Sequence, residues 1–198
     1  MTGRGRAAYV EAAQAILAAD GPDGLTIAAL CDRMHVTTGA FYYHFPSMGE
    51  FVTAYAADRE AFFTDMFDTT GREPDPLRRL EMLAEAAFAM SHRAEAAFRA
   101  WGNSNPTVKT SLARMDAHAE VLYYDTLAEV LGDRERAVML GNMGLSIVIG
   151  LLHRERAEDV ALFAAIALEF YTANLGLDAE VVDVDGLPAL RLHRRTGI

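Results

Sequence analysis

Apolar residues recur every three to four positions along most of the chain, which is the spacing of one face of an α-helix. Glycine and proline interrupt this pattern at intervals and divide it into helical segments. We predict nine helices, over residues 5–19, 27–34, 37–44, 47–67, 77–90, 93–101, 106–131, 134–153 and 158–175. The predicted fold class is therefore all-α: a three-helix N-terminal domain and a larger helical bundle.

Several of these helices begin at residues that are typical N-caps. Thr26, Thr37, Ser47 and Asp133 each precede a predicted helix, where a side-chain oxygen can accept an unpaired backbone N–H. Glu50 follows Ser47 by three residues, which completes a capping box.

The segment 177–198 shows a different pattern. It contains an apolar run over 181–184, an Asp185-Gly186 turn signal and an alternation of Leu190 and Leu192. These features are compatible either with a small β-hairpin or with a mobile tail. Of the two, we favour the mobile tail.

Residues 30–41 carry the pattern of a helix-turn-helix, in which two short helices cross with almost no loop. Cys31 provides a small side chain where the helices approach each other. His35 occupies the turn position that requires a positive φ, where glycine is usual and histidine is tolerated. The apolar residues that close the small core are Leu30, Met34, Val36 and Phe41.

The same segment resembles the DNA-binding domain of the TetR family of bacterial repressors, and the resemblance covers about residues 6–60. The family shows a run of the form L-T…A…GVS-x-G-x-[LF]-Y-x-[HY]-F-x-S-K-[ED]-x-L. Here the matching segments are Leu25-Thr26-Ile27 and Val36-Thr37-Thr38-Gly39-Ala40-Phe41-Tyr42-Tyr43-His44-Phe45-Pro46-Ser47. One departure is Met48, where family members commonly carry a lysine that contacts phosphate.

The resemblance implies a helix-turn-helix DNA-binding domain over 1–46 and a ligand-binding and dimerisation domain over 47–198, with helix 47–67 connecting them. It further implies a dimeric, ligand-responsive repressor that binds a palindromic operator. Arg4 and Arg6 lie at the start of the first predicted helix, where an arm can reach the DNA. The expected DNA-binding residues are Arg4, Arg6, Thr26, Thr37, Thr38, Gly39, Tyr42, Tyr43 and His44.

The charge of the chain runs against DNA binding when it is counted as a whole. The net charge is −10, and residues 1–67 contain four arginines, no lysine and eight carboxylates. However, DNA responds to the surface that faces it, and Thr37–His44 contains no carboxylate. A helical dimer with a degenerate helix-turn-helix and no specific DNA site is the alternative function.

Large, soft side chains in helices five to eight predict a pocket for a small apolar or amphipathic effector, although such residues also build ordinary cores. The pocket candidates are Phe88, Trp101, Met115, His118, Leu122, Tyr123 and Met143. In the resembled family the last two long helices form the dimer interface; the alternative is that they close the monomer core. The dimer candidates are Gly141, Gly144, Val148, Phe163, Ala167 and Phe170.

No motif of an enzyme active site, nucleotide-binding loop or metal site occurs in the sequence, so we expect no enzymatic activity, no cofactor and no metal. The single cysteine, Cys31, excludes a disulfide framework and fits a reducing compartment. No signal peptide is recognisable, and the apolar run Met143–Leu152 is too short to span a bilayer. We therefore expect a cytoplasmic protein that does not associate with a membrane.

Overall fold

The computed structural model describes residues 2–154 and 160–195, with side chains from residue 5 onward. Within these residues the chain is helical, as predicted, with one added β-hairpin. The elements are α1 (Thr2–Gly24), α2 (Ile27–Met34), α3 (Thr38–His44), α4 (Met48–Gly71), α5 (Pro76–Ala89), α6 (His92–Gly102), α7 (Pro106–Leu131), α8 (Arg134–Leu152), α9 (Val160–Leu175), β1 (Leu177–Val184) and β2 (Leu187–Arg194).

The helix starts follow the predicted caps. In each case the side-chain oxygen accepts the backbone N–H three residues further on, and the four pairs are Thr26 with Ala29, Thr37 with Ala40, Ser47 with Glu50, and Asp133 with Arg136. The predicted break at Gly21-Pro22 is also present, because the backbone of α1 leaves helical geometry at Gly21, whose φ is 69°.

Tertiary contacts divide the chain into two units. The first contains residues up to 64 together with 91–116, and the second contains 65–90 together with 117 onward. Both α4 and α7 therefore contribute to both units. The predicted domain boundary between residues 46 and 47 was placed by the DNA-binding motif rather than by contacts, and it stays a prediction.

An aromatic column forms the core of the first unit. Tyr9 packs edge-on against Phe41, and Phe41 in turn contacts Phe51. Phe51 stacks on Tyr55, which meets Phe98 of α6 at a ring-centroid distance of 5.7 Å. All five rings are almost completely buried, so α1, α3, α4 and α6 share one close-packed core.

Ion pairs join α4, α6 and α7 within the same unit. The carboxylate of Glu95 on α6 binds the guanidinium of Arg59 on α4 and, at 2.9 Å, Nε of Arg99. Arg99 also holds Asp116 of α7 through two hydrogen bonds of 2.8 and 3.1 Å. The guanidinium of Arg59 lies 4.7 Å from the ring centre of Phe98, which adds a cation–π contact.

The second unit has an aliphatic and aromatic core that draws on α5, α7, α8, α9 and both strands. Two glycines of α8 are required by this packing. A Cβ on Gly141 would stand 2.3 Å from the ring of Tyr124, and a Cβ on Gly144 would stand 2.8 Å from Oη of Tyr123. The small residues of α8 therefore allow α7 of the same chain to approach closely.

Residues 177–194 form an antiparallel hairpin, so the mobile tail that we favoured is wrong for this segment. Asp185 and Gly186 form its two-residue turn with φ of 55° and 83°, the geometry that matches the twist of paired strands. Leu190 and Leu192 are buried in the core, which holds the hairpin in place. Residues 196–198 lie outside the described residues.

Helix α8 is more apolar than its burial requires. Among the described helices it is the one that is long and apolar enough, by length and composition alone, to cross a membrane, a test that core helices also pass. Only 22% of its most apolar 18-residue window is buried within the chain. A large apolar surface of α8 is therefore left uncovered.

Candidate nucleic-acid interface

The turn between α2 and α3 is made by two backbone hydrogen bonds around a left-handed residue. His35 has a φ of 55°, as predicted, and its N–H donates to the carbonyl of Asp32. The N–H of Val36 donates to the carbonyl of Cys31 at 2.9 Å, which completes a Schellman motif. This motif ends α2 sharply at Met34 and allows α3 to begin at Thr38, after three intervening residues.

Helix α3 has one face inside the protein and one face outside. Phe41 is fully buried and fixes the helix on the core of the first unit. Thr38, Gly39, Tyr42 and Tyr43 lie on the opposite side, and we call them the recognition face. Tyr42 and Tyr43 are 54% and 79% exposed, which is unusual for large aromatic side chains without an external partner.

The threonines at the helix starts can each offer one hydrogen-bond donor. Thr26 and Thr37 are exposed, and their hydroxyl oxygens accept the N–H groups of Ala29 and Ala40 at 3.1 and 3.3 Å. The hydroxyl hydrogen of each threonine remains available. Phosphate oxygens accept hydrogen bonds only, so these two hydroxyls match the chemistry of a nucleic-acid backbone.

Gly39 has no internal reason to be a glycine. Its φ is not positive, and a Cβ at this position would meet only Oγ1 of Thr37, at an ordinary distance of 3.7 Å. Alanine at this helical position would also favour folding. A Cβ could therefore be added at Gly39 without a clash within this chain.

The two predicted arm residues and His44 have different surroundings. Arg6 belongs to α1 rather than to an extended arm, and one of its nitrogens donates to the carbonyl of His44. The imidazole of His44 is half-buried and packs edge-on against the ring of Tyr9. The side chain of Arg4 lies outside the described residues.

Two titratable groups, Cys31 and Tyr9, are buried beneath the recognition face. Burial raises the pKa of the Cys31 thiol, and the Asp32 carboxylate raises it further. Burial likewise raises the pKa of Tyr9. Both groups are therefore neutral at physiological pH, and they support α3 by packing alone.

The candidate effector residues do not all belong to one unit. Trp101 and Met115 lie in the first unit, whereas the other five lie in the second. Phe88 and Tyr123 are members of the buried core of the second unit. The other three candidates lie nearer the surface. Leu122 is half-buried, and Met143 is 40% exposed. The imidazole of His118 contacts the ring of Phe67, and its Nε2 lies 3.3 Å from the Asp68 carboxylate.

Most of the candidate dimer residues face the interior of their own unit. Gly141, Gly144, Phe163 and Phe170 are buried in this chain, and Val148 and Ala167 are half-buried. The exposed residues of α8 and α9 were missed in the sequence, although their spacing of three to four positions marks a second helix face. Beyond the charged first turn of α8, they are Met139, Asn142, Met143, Ser146 and Gly150 on α8, and Ala161, Ala165, Glu169 and Ala173 on α9.

In the part of the chain that the structure describes, no group of three or more His, Cys, Asp or Glu side chains is positioned to hold a metal ion. The chemistry on the recognition face consists of hydroxyls, aromatic rings and an open glycine on a short, rigid helix. A helix-turn-helix of this kind defines the class of DNA-binding transcription regulators.

Comparison with known proteins agrees with this class. Residues 10–55 match the model of the bacterial regulatory proteins of the tetR family. No curated protein matches the chain by sequence. Residues 10–55 therefore form a helix-turn-helix domain of the kind that TetR-family transcriptional regulators carry.

Solved structures share the fold at low sequence identity. A transcriptional regulator from Rhodococcus sp. Rha1 has a TM-score of 0.69 at 19% identity, over 86% of this chain and 94% of its own. A TetR transcription regulator from Haloarcula marismortui has a TM-score of 0.69 at 16% identity, over 86% and 98%. GusR of Salmonella enterica has a TM-score of 0.64 at 19% identity, over 87% and 94%.

Proposed function

We propose that this protein is a cytoplasmic, ligand-responsive repressor that binds a palindromic DNA operator as a homodimer. The observation that carries the proposal is the recognition face of α3. On this face two exposed tyrosines lie one turn beyond a glycine that no contact within the chain requires. Thr26 and Thr37 supply donors for phosphate at the starts of α2 and α3. Thr38 and Gly39 lie at the first turn of α3, the part of a recognition helix that meets base edges.

We expect DNA binding to depend unusually strongly on uncharged hydrogen-bond donors. Arg59 is committed to Glu95 inside the protein, and Met48 stands where the family commonly has lysine. The hydroxyls of Thr26, Thr37 and Tyr43 can still bind phosphate, because backbone contacts do not require a full charge. A gel shift followed by footprinting over the region next to the gene tests the proposal. A protected near-palindrome is expected, and no protected site at any salt concentration contradicts it.

Gly39 provides the sharpest variant. Gly39→Ala should raise the free energy of unfolding by about 0.5–1 kcal/mol, because alanine is the better helix former and the protein has room for it. The same variant should weaken operator binding, since the added methyl group occupies the space that DNA approaches. Gly150→Ala is the control for stability, because a Cβ there meets nothing within 4 Å of this chain. It should raise the free energy of unfolding by a similar amount.

The residues that grip DNA can be separated from those that specify its sequence. Thr38→Ala should change base preference, by roughly 1–3 kcal/mol if a good base contact is lost. Tyr43→Phe should weaken binding to all sequences about equally, because phosphate contacts carry no sequence information. If each variant changes the affinity for every DNA sequence by the same factor, this division of roles is wrong.

We place the dimer interface on the exposed faces of α8 and α9. Met139 is 62% exposed, and the exposed residues that follow it along α8 are the uncharged Asn142, Met143, Ser146 and Gly150, so a second copy can cover this surface with its own α8 and α9. Met143→Glu should give a monomer in sedimentation measurements. Val121→Glu, at an exposed apolar residue of α7, should remain a dimer. A dimeric Met143→Glu protein would move the interface elsewhere.

The effector proposed for this repressor is a small apolar or amphipathic molecule. The support is the set of soft side chains in the helices of the second unit, among them Phe88, Leu122 and Tyr123. Mass spectrometry of molecules that copurify with the protein would identify it. Calorimetric titration with and without operator then measures the coupling, which is typically about 1–3 kcal/mol, and equal affinities would exclude a ligand switch.

The rival function is a helical dimer that no longer recognises a DNA sequence, and the net charge of −10 favours it. The two functions differ in one measurement. A sequence-specific regulator binds its operator more tightly than random duplex of the same length, whereas the rival binds both equally weakly or not at all.

A further inference from the structure

Arg6 holds the C-terminal end of the recognition helix. One of its guanidinium nitrogens donates to the carbonyl of His44 at 3.3 Å, across 38 residues of sequence. The face of the guanidinium lies over the ring of Phe45, 4.7 Å from the ring centre. Phe45 is almost completely buried, so Arg6 covers one side of the residue that ends α3.

The end of α3 needs such a partner. A helix of seven residues has few internal hydrogen bonds, and its last carbonyls accept no hydrogen bond from an N–H of the same helix. The N–H of Phe45 donates back to Phe41, whereas the carbonyl of His44 is satisfied by Arg6. A cation at this position also interacts favourably with the negative end of the helix.

Gly5, next to Arg6, fits the same arrangement. A Cβ at Gly5 would stand 2.9 Å from the imidazole of His44, so the start of α1 and the end of α3 are in close contact. Tyr9, one turn further along α1, packs edge-on against His44 and Phe45. The first turns of α1 therefore determine where α3 ends and how it is tilted on the core.

We propose that Arg6 is a positioning residue for DNA recognition, an exposed side chain that fixes the recognition helix through contacts within the first unit and does not neutralise a DNA phosphate. The inference rests on the proposed DNA binding and assigns to Arg6 a role different from the phosphate or groove contact expected from the sequence. Its guanidinium already has a ring on one face and a carbonyl at its edge. Moving it to a phosphate would release the end of α3.

Two variants distinguish the roles. Arg6→Met removes the charge and keeps an unbranched side chain, and Arg6→Lys keeps the charge without the planar group. The logarithm of DNA affinity is measured against the logarithm of salt concentration, because each neutralised phosphate contributes about 0.9 to the slope. Arg33→Met is the control, since Arg33 is exposed and has no hydrogen bond or ion pair to any described residue.

We expect both Arg6 variants to weaken operator binding by roughly 3- to 10-fold with the salt slope unchanged, the loss that one hydrogen bond corresponds to. A slope reduced by about 0.9 in Arg6→Met, with wild-type affinity in Arg6→Lys, overturns the proposal. An affinity unchanged in both variants overturns it as well.

Hydrogen exchange of the free protein tests the same inference without DNA. Protection of the Phe45 amide, which reports the last turn of α3, should fall roughly 3- to 10-fold in Arg6→Met and stay unchanged in Arg33→Met. Unchanged protection in Arg6→Met overturns the proposal. Failure of the wild-type protein to bind any duplex would contradict the proposed function, while the exchange result would still decide what Arg6 does.

Discussion

Oη of Tyr123 lies 2.8 Å from the point where a Cβ on Gly144 would stand. Burial raises the pKa of Tyr123 well above its ordinary value and that of its hydrogen-bonded neighbour Tyr171 to about 12. Both phenols are therefore neutral, and Tyr123 fills the space beside α8 that the glycine leaves. The glycine and the tyrosine depend on each other.

Gly144→Ala should therefore lower the free energy of unfolding, although alanine is the better helix former. The overpacked methyl group costs about 1–3 kcal/mol, against about 1 kcal/mol gained in helix propensity. Gly150→Ala, in the same helix but in open space, should raise the free energy of unfolding by about 0.5–1 kcal/mol. Chemical denaturation of both variants checks the pair, and equal effects would show that the contact with Tyr123 is not limiting.

His35→Gly should stabilise the protein by about 1 kcal/mol, because histidine pays a steric cost at a φ of 55° that glycine does not. Arg33→Gly, two residues earlier in α2, should destabilise it by about 1 kcal/mol. Thermal unfolding of both variants is the measurement. A destabilised His35→Gly protein would mean that the imidazole makes a contact that outweighs the backbone strain.

Glu95→Gln should lower the free energy of unfolding by about 3–5 kcal/mol, the usual cost of removing one partner from a buried ion pair. The side chain of Glu95 is only 4% exposed, and its loss leaves Arg59 buried without a counterion. Asp116→Asn is the control, because Asp116 is 37% exposed and water can replace much of its interaction with Arg99. A cost as small as that of the control would show that the network is not needed for stability.

The ion pair of Glu60 and Arg114 should make part of the stability depend on pH. The hydrogen bond from Arg114 lowers the pKa of Glu60 below its ordinary value of 4.5. Because the pKa of Glu60 is lower in the folded protein than in the unfolded chain, its carboxylate stabilises the folded state above about pH 4.5. This contribution is lost as the pH falls through the pKa that Glu60 has in the folded protein. Arg114→Met should thus be less stable than wild type at pH 7, with a difference that shrinks in acid. The difference in stability between Arg33→Met and wild type should not change with pH.

Glu81→Ala should weaken the attachment of the hairpin. Oε1 of Glu81 accepts the buried backbone N–H of Leu192 at 2.8 Å, and an unsatisfied N–H there costs about 1–3 kcal/mol. Glu85→Ala, at a side chain that is 31% exposed, should cost less. Hydrogen exchange of the Leu192 amide checks the result, and unchanged protection in Glu81→Ala would show that the hairpin is held by its apolar side chains alone.

The sequence predicted most helices closely, because local chemistry determines their ends. The bounds of α2 and α7 are as predicted, and Asp133 caps α8. The turn geometry of His35 also followed from local preferences. These features depend on interactions over a few residues, which a linear pattern records.

Other features depend on contacts that are distant in sequence. The hairpin is ordered because Leu190 and Leu192 enter a core built from α5, α7 and α9, which its own residues do not reveal. Similarly, the small residues of α8 indicated close packing correctly, but the sequence did not show that the partner is α7 of the same chain. Arg6 was read as an arm residue because its contact with His44 spans 38 positions.

The hairpin also sets an order of events during synthesis. Leu192 leaves the ribosome 111 residues after Glu81, its hydrogen-bond acceptor on α5. Until then the apolar surface of α5 that will contact β2 has no strand to cover it, whereas every residue of the first unit has already been made. Contacts between distant parts of a chain form slowly, and uncovered apolar surface promotes aggregation. The helix-turn-helix is therefore fully synthesised before β2, the strand that completes the core of the second unit.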